Sequence, residues 1–222
     1  MYKPKRTSIG IPPKPEELYI KLYQFIDSVI DGFSFNGISD EEDDITLAMS
    51  YYLDSRSEES SDVFKFINQA NKTDIGVFVG RHYKSNNVRK LCWIEAKRLP
   101  TPKVTNRDER EYVFVDHTKL NRNGNRQFDN NGGIERFKMS KHAAGYPVAM
   151  MFGYVQDGTF AFWERKINEW LEIYSTTLPF SNKEQLERVD NQENRYISIH
   201  QRIDKDNQPA GEIKLYHFWL NV

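Results

Sequence analysis

Two charged side chains interrupt an apolar, β-forming segment at residues 91–97, whose sequence is Leu-Cys-Trp-Ile-Glu-Ala-Lys. Alternate side chains of a β-strand project from the same face, so Glu95 and Lys97 project together, while Ile94 and Ala96 project from the opposite face. The run that precedes them is too apolar for an exposed strand. The sequence therefore predicts an interior strand that carries a carboxylate and an ammonium group side by side.

A second β-forming segment, Asp74–Val79, comes shortly before this strand, and residues 81–90 are predicted to form the turn between the two. Antiparallel pairing of the strands would bring Asp74 beside Glu95. Two adjacent carboxylates repel each other, which raises a pKa unless a cation relieves the repulsion. A hard divalent cation with oxygen ligands would do so, which predicts Mg²⁺, with Mn²⁺ as an alternative. The competing interpretation is a surface hairpin whose charged side chains face water.

Two amphipathic helices are predicted before this hairpin. Apolar residues at spacings of three and four predict the first at residues 16–32. Ser39 is a predicted N-cap for the second, and Glu42, three residues later, completes a capping box. Either Glu41 or Glu42 lies on the inner face of this helix, because both precede the apolar Ile45 by about one turn.

The rest of the chain is predicted to continue with strands and helices, after a flexible, basic, proline-rich arm at residues 1–15. The further predicted elements are strands at 63–67, 147–155 and 160–163, a tight turn at Asp157–Gly158, helices at 134–144 and 167–174, and a terminal hairpin of strands 196–203 and 212–220. No domain boundary is visible, so residues 16–222 are predicted to form one α/β domain with a mixed β-sheet flanked by helices.

The charge balance of the chain excludes a strong overall attraction to nucleic acid, because 31 basic residues face 32 acidic ones. A polyanionic partner would therefore need a local basic patch. The candidates are Arg81, Lys84 and Arg98 near the predicted strands, and Lys138 and Lys141 on the helix that follows. An ordinary solvated basic face explains the last two residues equally well.

Cysteine and histidine usage points away from a disulfide-stabilised or zinc-dependent protein. The single cysteine, Cys92, excludes an intramolecular disulfide, is predicted to be packed in the core, and is typical of a reducing, cytoplasmic environment. The five histidines show no zinc-ligand spacing. His200 and His217 fall on the two terminal strands, where a paired structural role is predicted. The longest apolar run, residues 147–155, is too short to span a bilayer.

The acidic residues and the lysine together resemble the site of the PD-(D/E)xK nuclease superfamily, to which many restriction endonucleases belong. That site combines an acid on the first helix, an acid at the start of one strand and a (D/E)-x-K tripeptide on the next. By this resemblance Glu42 is the helix acid, Asp74 is the strand acid and Glu95-Ala96-Lys97 is the tripeptide. The backbone carbonyl of Ala96 is implied as a further metal ligand. Thr73 stands where the family name has proline.

Two further matches to the tripeptide, Glu164-Arg165-Lys166 and Glu212-Ile213-Lys214, lack the required context. The first opens a predicted helix. The second follows acids that lie in a predicted turn. Neither is followed by the helix and strand that the family's fold requires, so the match at Glu95 is the one that carries the resemblance.

The resemblance implies a restriction-endonuclease-like core over about residues 39–155, with the terminal hairpin as an addition. It also implies a magnesium-dependent endonuclease that hydrolyses DNA phosphodiester bonds in restriction, repair or phage defence. Asp74 and Glu95 would hold the metal, and Lys97 would position the attacking water or stabilise the transition state. Cleavage of both strands of a duplex would suit a homodimer. The alternatives are a nuclease-like module that binds without cutting, and a protein-interaction module that uses the aromatic terminal hairpin.

Overall fold

The computed structural model describes residues 14–37, 41–60, 63–69, 74–80, 89–103, 107–116, 132–175, 184–189, 192–206 and 208–222. In these residues a seven-stranded mixed β-sheet is packed against four α-helices, which confirms the predicted mixed α/β class. The predicted arm at residues 1–15 lies outside the described residues except for its last two. Of these, Pro15 is the first residue of a helix rather than part of an arm.

The helices and strands largely follow the predicted segments. The helices are α1 (Pro15–Val29), which continues into a 3₁₀ turn (Ile30–Gly32), α2 (Glu42–Glu59), α3 (Gly133–Lys138) and α4 (Phe160–Ser175). The strands are β1 (Phe64–Asn68), β2 (Asp74–Val79), β3 (Arg89–Leu99), β4 (Val148–Val155), β5 (Glu187–Arg188), β6 (Arg195–Ile203) and β7 (Pro209–Asn221). None of the described helices combines the length and the apolar character needed to cross a membrane.

The strand order across the sheet is β1-β2-β3-β4-β7-β6-β5. Strand β2 is antiparallel to its neighbours β1 and β3, and β6 is antiparallel to its neighbours β7 and β5. Strand β4 runs parallel to both β3 and β7. The predicted terminal hairpin of β6 and β7 is present, but β7 lies directly beside β4. The hairpin is therefore a continuous part of the sheet rather than an addition to a core that ends at residue 155.

Helices cover both faces of the sheet and create two apolar layers. On one face, α1 and α2 contribute buried side chains such as Ile26 and Met49, and Ile94 and Ala96 of β3 join them. Cys92 is fully buried in the same layer, as predicted. On the other face, α3 and α4 pack against the sheet through residues that include Phe137, Ile167 and Trp170. Glu95 and Lys97 face this second layer, because they alternate with Ile94 and Ala96 along β3.

The prediction of a strand at 160–163 is wrong, because these residues form the first turn of α4. The buried residues Trp163, Ile167, Trp170 and Tyr174 recur at intervals of four, three and four, which is a helical stripe. The Thr159 hydroxyl also accepts a hydrogen bond from the Phe162 amide at 3.1 Å, as a helix N-cap does. A run of four residues is too short to distinguish a strand from a helix by itself. The helical period of the longer segment that contains it decides the conformation.

Two predicted helices have different bounds in the structure. Helix α3 ends at Lys138 instead of continuing to residue 144, and Ser140 and Ala143 both adopt a φ of 52°, which a helix cannot contain. Helix α2 begins at Glu42, with Glu41 as an N-cap that makes no side-chain capping bond. The predicted capping box is therefore absent from this helix start, and Ser39 itself lies outside the described residues.

Candidate metal centre

The pairing of β2 with β3 places two carboxylates side by side in the interior. Asp74 and Glu95 are directly opposite each other in the antiparallel register, on the face covered by α3 and α4. Asp74 is 2% exposed and Glu95 is 1% exposed. Their burial excludes the alternative in which this hairpin lies on the surface with its charges in water.

The Lys97 ammonium group links three buried carboxylates. Its Nζ lies 3.1 Å from Glu42 Oε1, 3.1 Å from Glu95 Oε1 and 3.7 Å from Glu111 Oε1. Burial alone would lower the pKa of Lys97, but the carboxylates of Glu42, Glu95 and Glu111 raise it well above the ordinary value. Lys97 is therefore held in its charged form within the cluster.

The structure distinguishes between the two candidate helix acids. Glu42 is 4% exposed, and besides Lys97 its carboxylate accepts a hydrogen bond from the Arg98 backbone amide at 3.0 Å. Glu41 has a side chain that is 69% exposed and contacts the guanidinium group of Arg98. The acid that reaches the cluster from α2 is thus Glu42, while Asp43 and Asp44 point outward as predicted.

His142 lies between the two strand carboxylates, and the sequence did not identify it as a site residue. Its Nε2 lies 3.1 Å from Asp74 Oδ2 and its Nδ1 lies 3.4 Å from Glu95 Oε2. The three residues Asp74, Glu95 and His142 each offer an atom within 4.8 Å of the others, as a metal-binding set requires. Ligand spacing along the chain could not reveal this set, because the residues come from two strands and the loop after α3.

Two arginines and one further glutamate complete the cluster, and the sequence did not identify them either. Arg136 of α3 places Nη1 3.0 Å from Glu95 Oε1. Arg107 donates to both oxygens of Glu111, at 2.7 and 2.9 Å, and lies 3.6 Å from Glu42. Helix α3 is positioned by backbone bonds from its first turn to residues 111–113, which brings these side chains together. Such contacts depend on tertiary structure and leave no periodic pattern in the sequence.

The pKa values of Asp74 and Glu95 are shifted in opposite directions although the two residues are neighbours. Burial raises the pKa of Glu95; the Lys97 ammonium opposes this increase and the Asp74 carboxylate adds to it. Burial also acts to raise the pKa of Asp74, but hydrogen bonds with His142 and Glu95 lower it below the ordinary value. The pair therefore carries an unequal proton affinity, as two carboxylates do when they share one low-dielectric site.

One oxygen of Asp74 provides a test of whether a cation fits this site. Asp74 Oδ1 is buried and accepts no hydrogen bond from any described residue. Buried carboxylate oxygens normally have a partner, and an unsatisfied one calls for an ion or a water molecule. Two carboxylates and one imidazole converge here, and these donors suit a divalent cation. The residues present therefore fit a metal ion.

The described residues include three of the five side chains that were predicted to contact nucleic acid. Arg81 and Lys84 lie outside the described residues. Arg98 is 8% exposed and pairs with Glu41, and Lys138 is 2% exposed and contacts Glu184, so neither is presented to a phosphate group. Lys141 is exposed at the end of the segment that follows α3. Lys138 thus belongs neither to an exposed phosphate-binding patch nor to a solvated basic face, because its ammonium group contacts Glu184 and the Tyr174 ring in the interior.

The two histidines of the terminal hairpin are connected, though not by direct pairing. His200 is opposite Ile213 and His217 is opposite Tyr196 in the β6–β7 register. Both rings contact the hydroxyl group of Ser198, each at 2.7 Å, and His200 also contacts Glu184 at 2.5 Å. The four polar side chains form a buried network within the second apolar layer, which is in keeping with the predicted structural role.

Comparison of the chain with protein-family models, with curated proteins and with solved structures finds no match. The site can therefore be interpreted only from its own geometry.

Proposed function

We propose that this chain is a metal-dependent nuclease of the PD-(D/E)xK type, with a restriction-endonuclease-like arrangement around β2, β3 and α2. The observation that carries the proposal is the buried Asp74–Glu95 pair, with one carboxylate oxygen unsatisfied and the Lys97 ammonium group adjacent. Adjacent buried carboxylates destabilise the fold unless their charge is compensated. Lys97 and Arg136 contact Glu95, but Asp74 Oδ1 makes no hydrogen bond to any described residue, and this oxygen is what supports an additional cation.

The residues have separate roles on this proposal. Asp74 and Glu95 would hold the metal, with the carbonyl of Ala96 as an implied further ligand. The bound metal would supply a water of lowered pKa and neutralise charge that develops on the phosphate group. Lys97, kept protonated by its carboxylates, would stabilise that charge or orient the water. Glu42 is a positioning residue, because it contacts the Lys97 ammonium at 3.1 Å and the Arg98 amide at 3.0 Å.

A cleavage assay on the full chain tests the proposal. Supercoiled plasmid, linear duplex DNA and single-stranded DNA are incubated with Mg²⁺, with Mn²⁺ or with a chelator. Cleavage should require the metal and should fall by about 100-fold or more in Asp74→Asn and Glu95→Gln. The matched control is Asp44→Asn, an exposed acid on α2 that should leave the rate unchanged. Metal-independent cleavage, or full activity in both site variants, would contradict the proposal.

A nuclease-like module that binds DNA without cutting it is the second candidate. The observation that favours it is the set of cations already in contact with Glu95, since Lys97 and Arg136 both lie close to Oε1. In this candidate, the Lys97 and Arg136 side chains rather than a metal ion neutralise part of the negative charge of the carboxylates. This candidate predicts DNA binding that weakens as salt rises, because phosphate contacts release counterions. It also predicts no turnover with either metal.

A further inference from the structure

We infer that His142 is a metal ligand, and that the site therefore prefers Mn²⁺ or a later first-row transition ion to Mg²⁺. This inference rests on the proposed metal site and names the class of ion that the site takes. It concerns the identity of the bound ion, and it can be tested whether or not the chain cleaves DNA.

The distance from one ring nitrogen of His142 to Asp74 suits two ligands of the same ion. Neighbouring ligands of an ion with bonds of about 2.1 Å lie about 3.0–3.4 Å apart, the shorter value for an octahedron and the longer one for a tetrahedron. His142 Nε2 lies 3.1 Å from Asp74 Oδ2, whereas the 3.4 Å contact to Glu95 Oε2 is made by Nδ1, which cannot bind the same ion as Nε2. One ligand atom from each of the three residues nevertheless lies within 4.8 Å of the others. The unsatisfied Asp74 Oδ1 belongs to the same carboxylate, so the proposed ligand set includes a buried oxygen that makes no hydrogen bond to any described residue.

The His142 ring is held in place by its surroundings. Its ring lies edge-on to Trp93, with centroids 5.1 Å apart, and 5.7 Å from the ring of Phe137. The His142 backbone amide donates to the Arg136 carbonyl at 3.1 Å, which ties the loop to the end of α3. The side chain is 15% exposed, whereas those of Asp74 and Glu95 are at most 2% exposed. His142 therefore lies on the solvent side of the pair, where an entering ion would meet it.

The neighbouring arginine is compatible with this assignment. Arg136 and Lys97 contact Oε1 of Glu95 at 3.0 and 3.1 Å, while His142 approaches Oε2 of the same residue. Arg136 Nη1 also lies 3.4 Å from Oε2, so both oxygens of Glu95 contact this guanidinium group, Oε1 more closely than Oε2. An ion bound at Oε2 would share this oxygen with the longer Arg136 contact, while Lys97 stays on Oε1.

A nitrogen ligand changes which ion the site selects. Mg²⁺ is a hard ion that takes oxygen ligands in strict octahedral geometry and retains several waters. Imidazole is a ligand for first-row transition ions, for which affinity rises from Mn²⁺ toward Cu²⁺. A set of two carboxylates and one imidazole is therefore expected to bind Mn²⁺ more tightly than Mg²⁺, whereas an all-oxygen set would discriminate less.

Direct spectroscopy of bound Mn²⁺ tests the assignment. The full chain is titrated with Mn²⁺ alone and with Mg²⁺ alone by calorimetry, and the Mn²⁺ complex is examined by pulsed electron paramagnetic resonance for modulation from a coordinated nitrogen. Wild-type protein should show nitrogen modulation and at least about tenfold tighter binding of Mn²⁺ than of Mg²⁺. His142→Gln should lose the modulation and bind Mn²⁺ about 10–100-fold more weakly.

A second variant at position 142 and a control variant distinguish loss of the nitrogen ligand from loss of the whole metal site. His142→Asp replaces the nitrogen ligand by oxygen, so it should retain metal binding but lose most of the preference for Mn²⁺. Asp44→Asn should behave as wild type. Bound Mn²⁺ without nitrogen modulation would overturn the inference and leave the proposed oxygen-ligated nuclease site standing. Absence of any metal binding would overturn both proposals. Nitrogen-ligated Mn²⁺ in a chain without cleavage activity would support the inference and contradict only the nuclease function.

Discussion

Replacement of Lys97 by methionine should destabilise the protein strongly, because the ammonium group offsets three carboxylates in the interior. Its Nζ lies within 3.1 Å of Glu42 and Glu95 and 3.7 Å from Glu111. Methionine fills a similar volume but leaves these carboxylates without their shared cation. Removal of one partner from a buried ion pair costs about 3–5 kcal/mol, since the remaining charge is buried without compensation.

The remaining contacts of the carboxylates place the expected loss near the lower end of this range. Glu42 keeps the Arg98 amide at 3.0 Å, Glu95 keeps Arg136 at 3.0 Å, and Glu111 keeps Arg107. A loss of about 3 kcal/mol corresponds to a fall of about 6–12 °C in the melting temperature for a domain of this size. Urea unfolding and thermal unfolding should both detect it.

A matched control and a double variant identify the cause of this loss. Lys141→Met removes an exposed lysine from the segment after α3, and it should change stability by no more than about 0.5 kcal/mol. Glu42→Gln should destabilise the wild-type protein, but it should be neutral or stabilising in the Lys97→Met background, because it then removes one uncompensated charge. Wild-type stability in Lys97→Met, or an equal effect of Glu42→Gln in both backgrounds, would refute this reasoning.

Three further predictions concern the metal, the pH dependence and the packing of the protein. Mn²⁺ at about 100 times its dissociation constant should stabilise the protein by about 2.7 kcal/mol, or about 5–11 °C, and Asp74→Asn should abolish this shift in a thermal-unfolding assay. Burial lowers the pKa of His217 and, despite Glu184 nearby, that of His200, so both rings stay neutral in the fold. Their unfolded forms take up protons below about pH 6.5, so the contribution of these rings to stability is present above that pH and is lost as the pH falls. The free energy of unfolding of His217→Gln, measured by urea titration, should depend less steeply on pH below about 6.5, by about 1.4 kcal/mol per pH unit. Gly153→Ala should cost about 1–3 kcal/mol in urea unfolding, because the added methyl group would lie 2.4 Å from the buried Trp219 ring, and an unchanged midpoint would show that the ring has room to move.

The strand pair at the centre of the site was predictable because its pattern is local. Residues two apart on a strand share a face, and the predicted bounds 74–79 match β2 residue for residue. The apolar run before Glu95 indicated burial, and the structure leaves that residue 1% exposed. Helical spacing likewise predicted that one acid at the start of α2 faces the interior. The tertiary structure shows that this acid is Glu42 and that Glu41 is exposed.

The remaining site residues were not predictable, because no local pattern fixes them. His142 reaches the carboxylates only because α3 ends at Lys138 and the chain then turns at Ser140, which has a φ of 52°. A helix that continued to residue 144, as the periodicity predicted, would place this histidine elsewhere. Arg136 and Lys138 lie two residues apart on α3, but Arg136 contacts Glu95 whereas Lys138 contacts Glu184. The sequence alone therefore could not show which basic residue of this helix contacts the site.

The charges of the cluster explain how a chain with a net charge of −1 could attract a phosphodiester at this point. In the part of the chain that the structure describes, the carboxylates of the cluster are Glu42, Asp74, Glu95 and Glu111, and its guanidinium and ammonium groups are those of Lys97, Arg107 and Arg136. With all four carboxylates ionised, these charges leave the cluster one unit negative without His142, which repels a phosphate group. A divalent cation would change the sign to one unit positive, which balances the single negative charge of a phosphodiester. On the proposed function, metal binding must therefore precede productive DNA binding, and the affinity for DNA should depend on the ion even in a variant that cannot cleave.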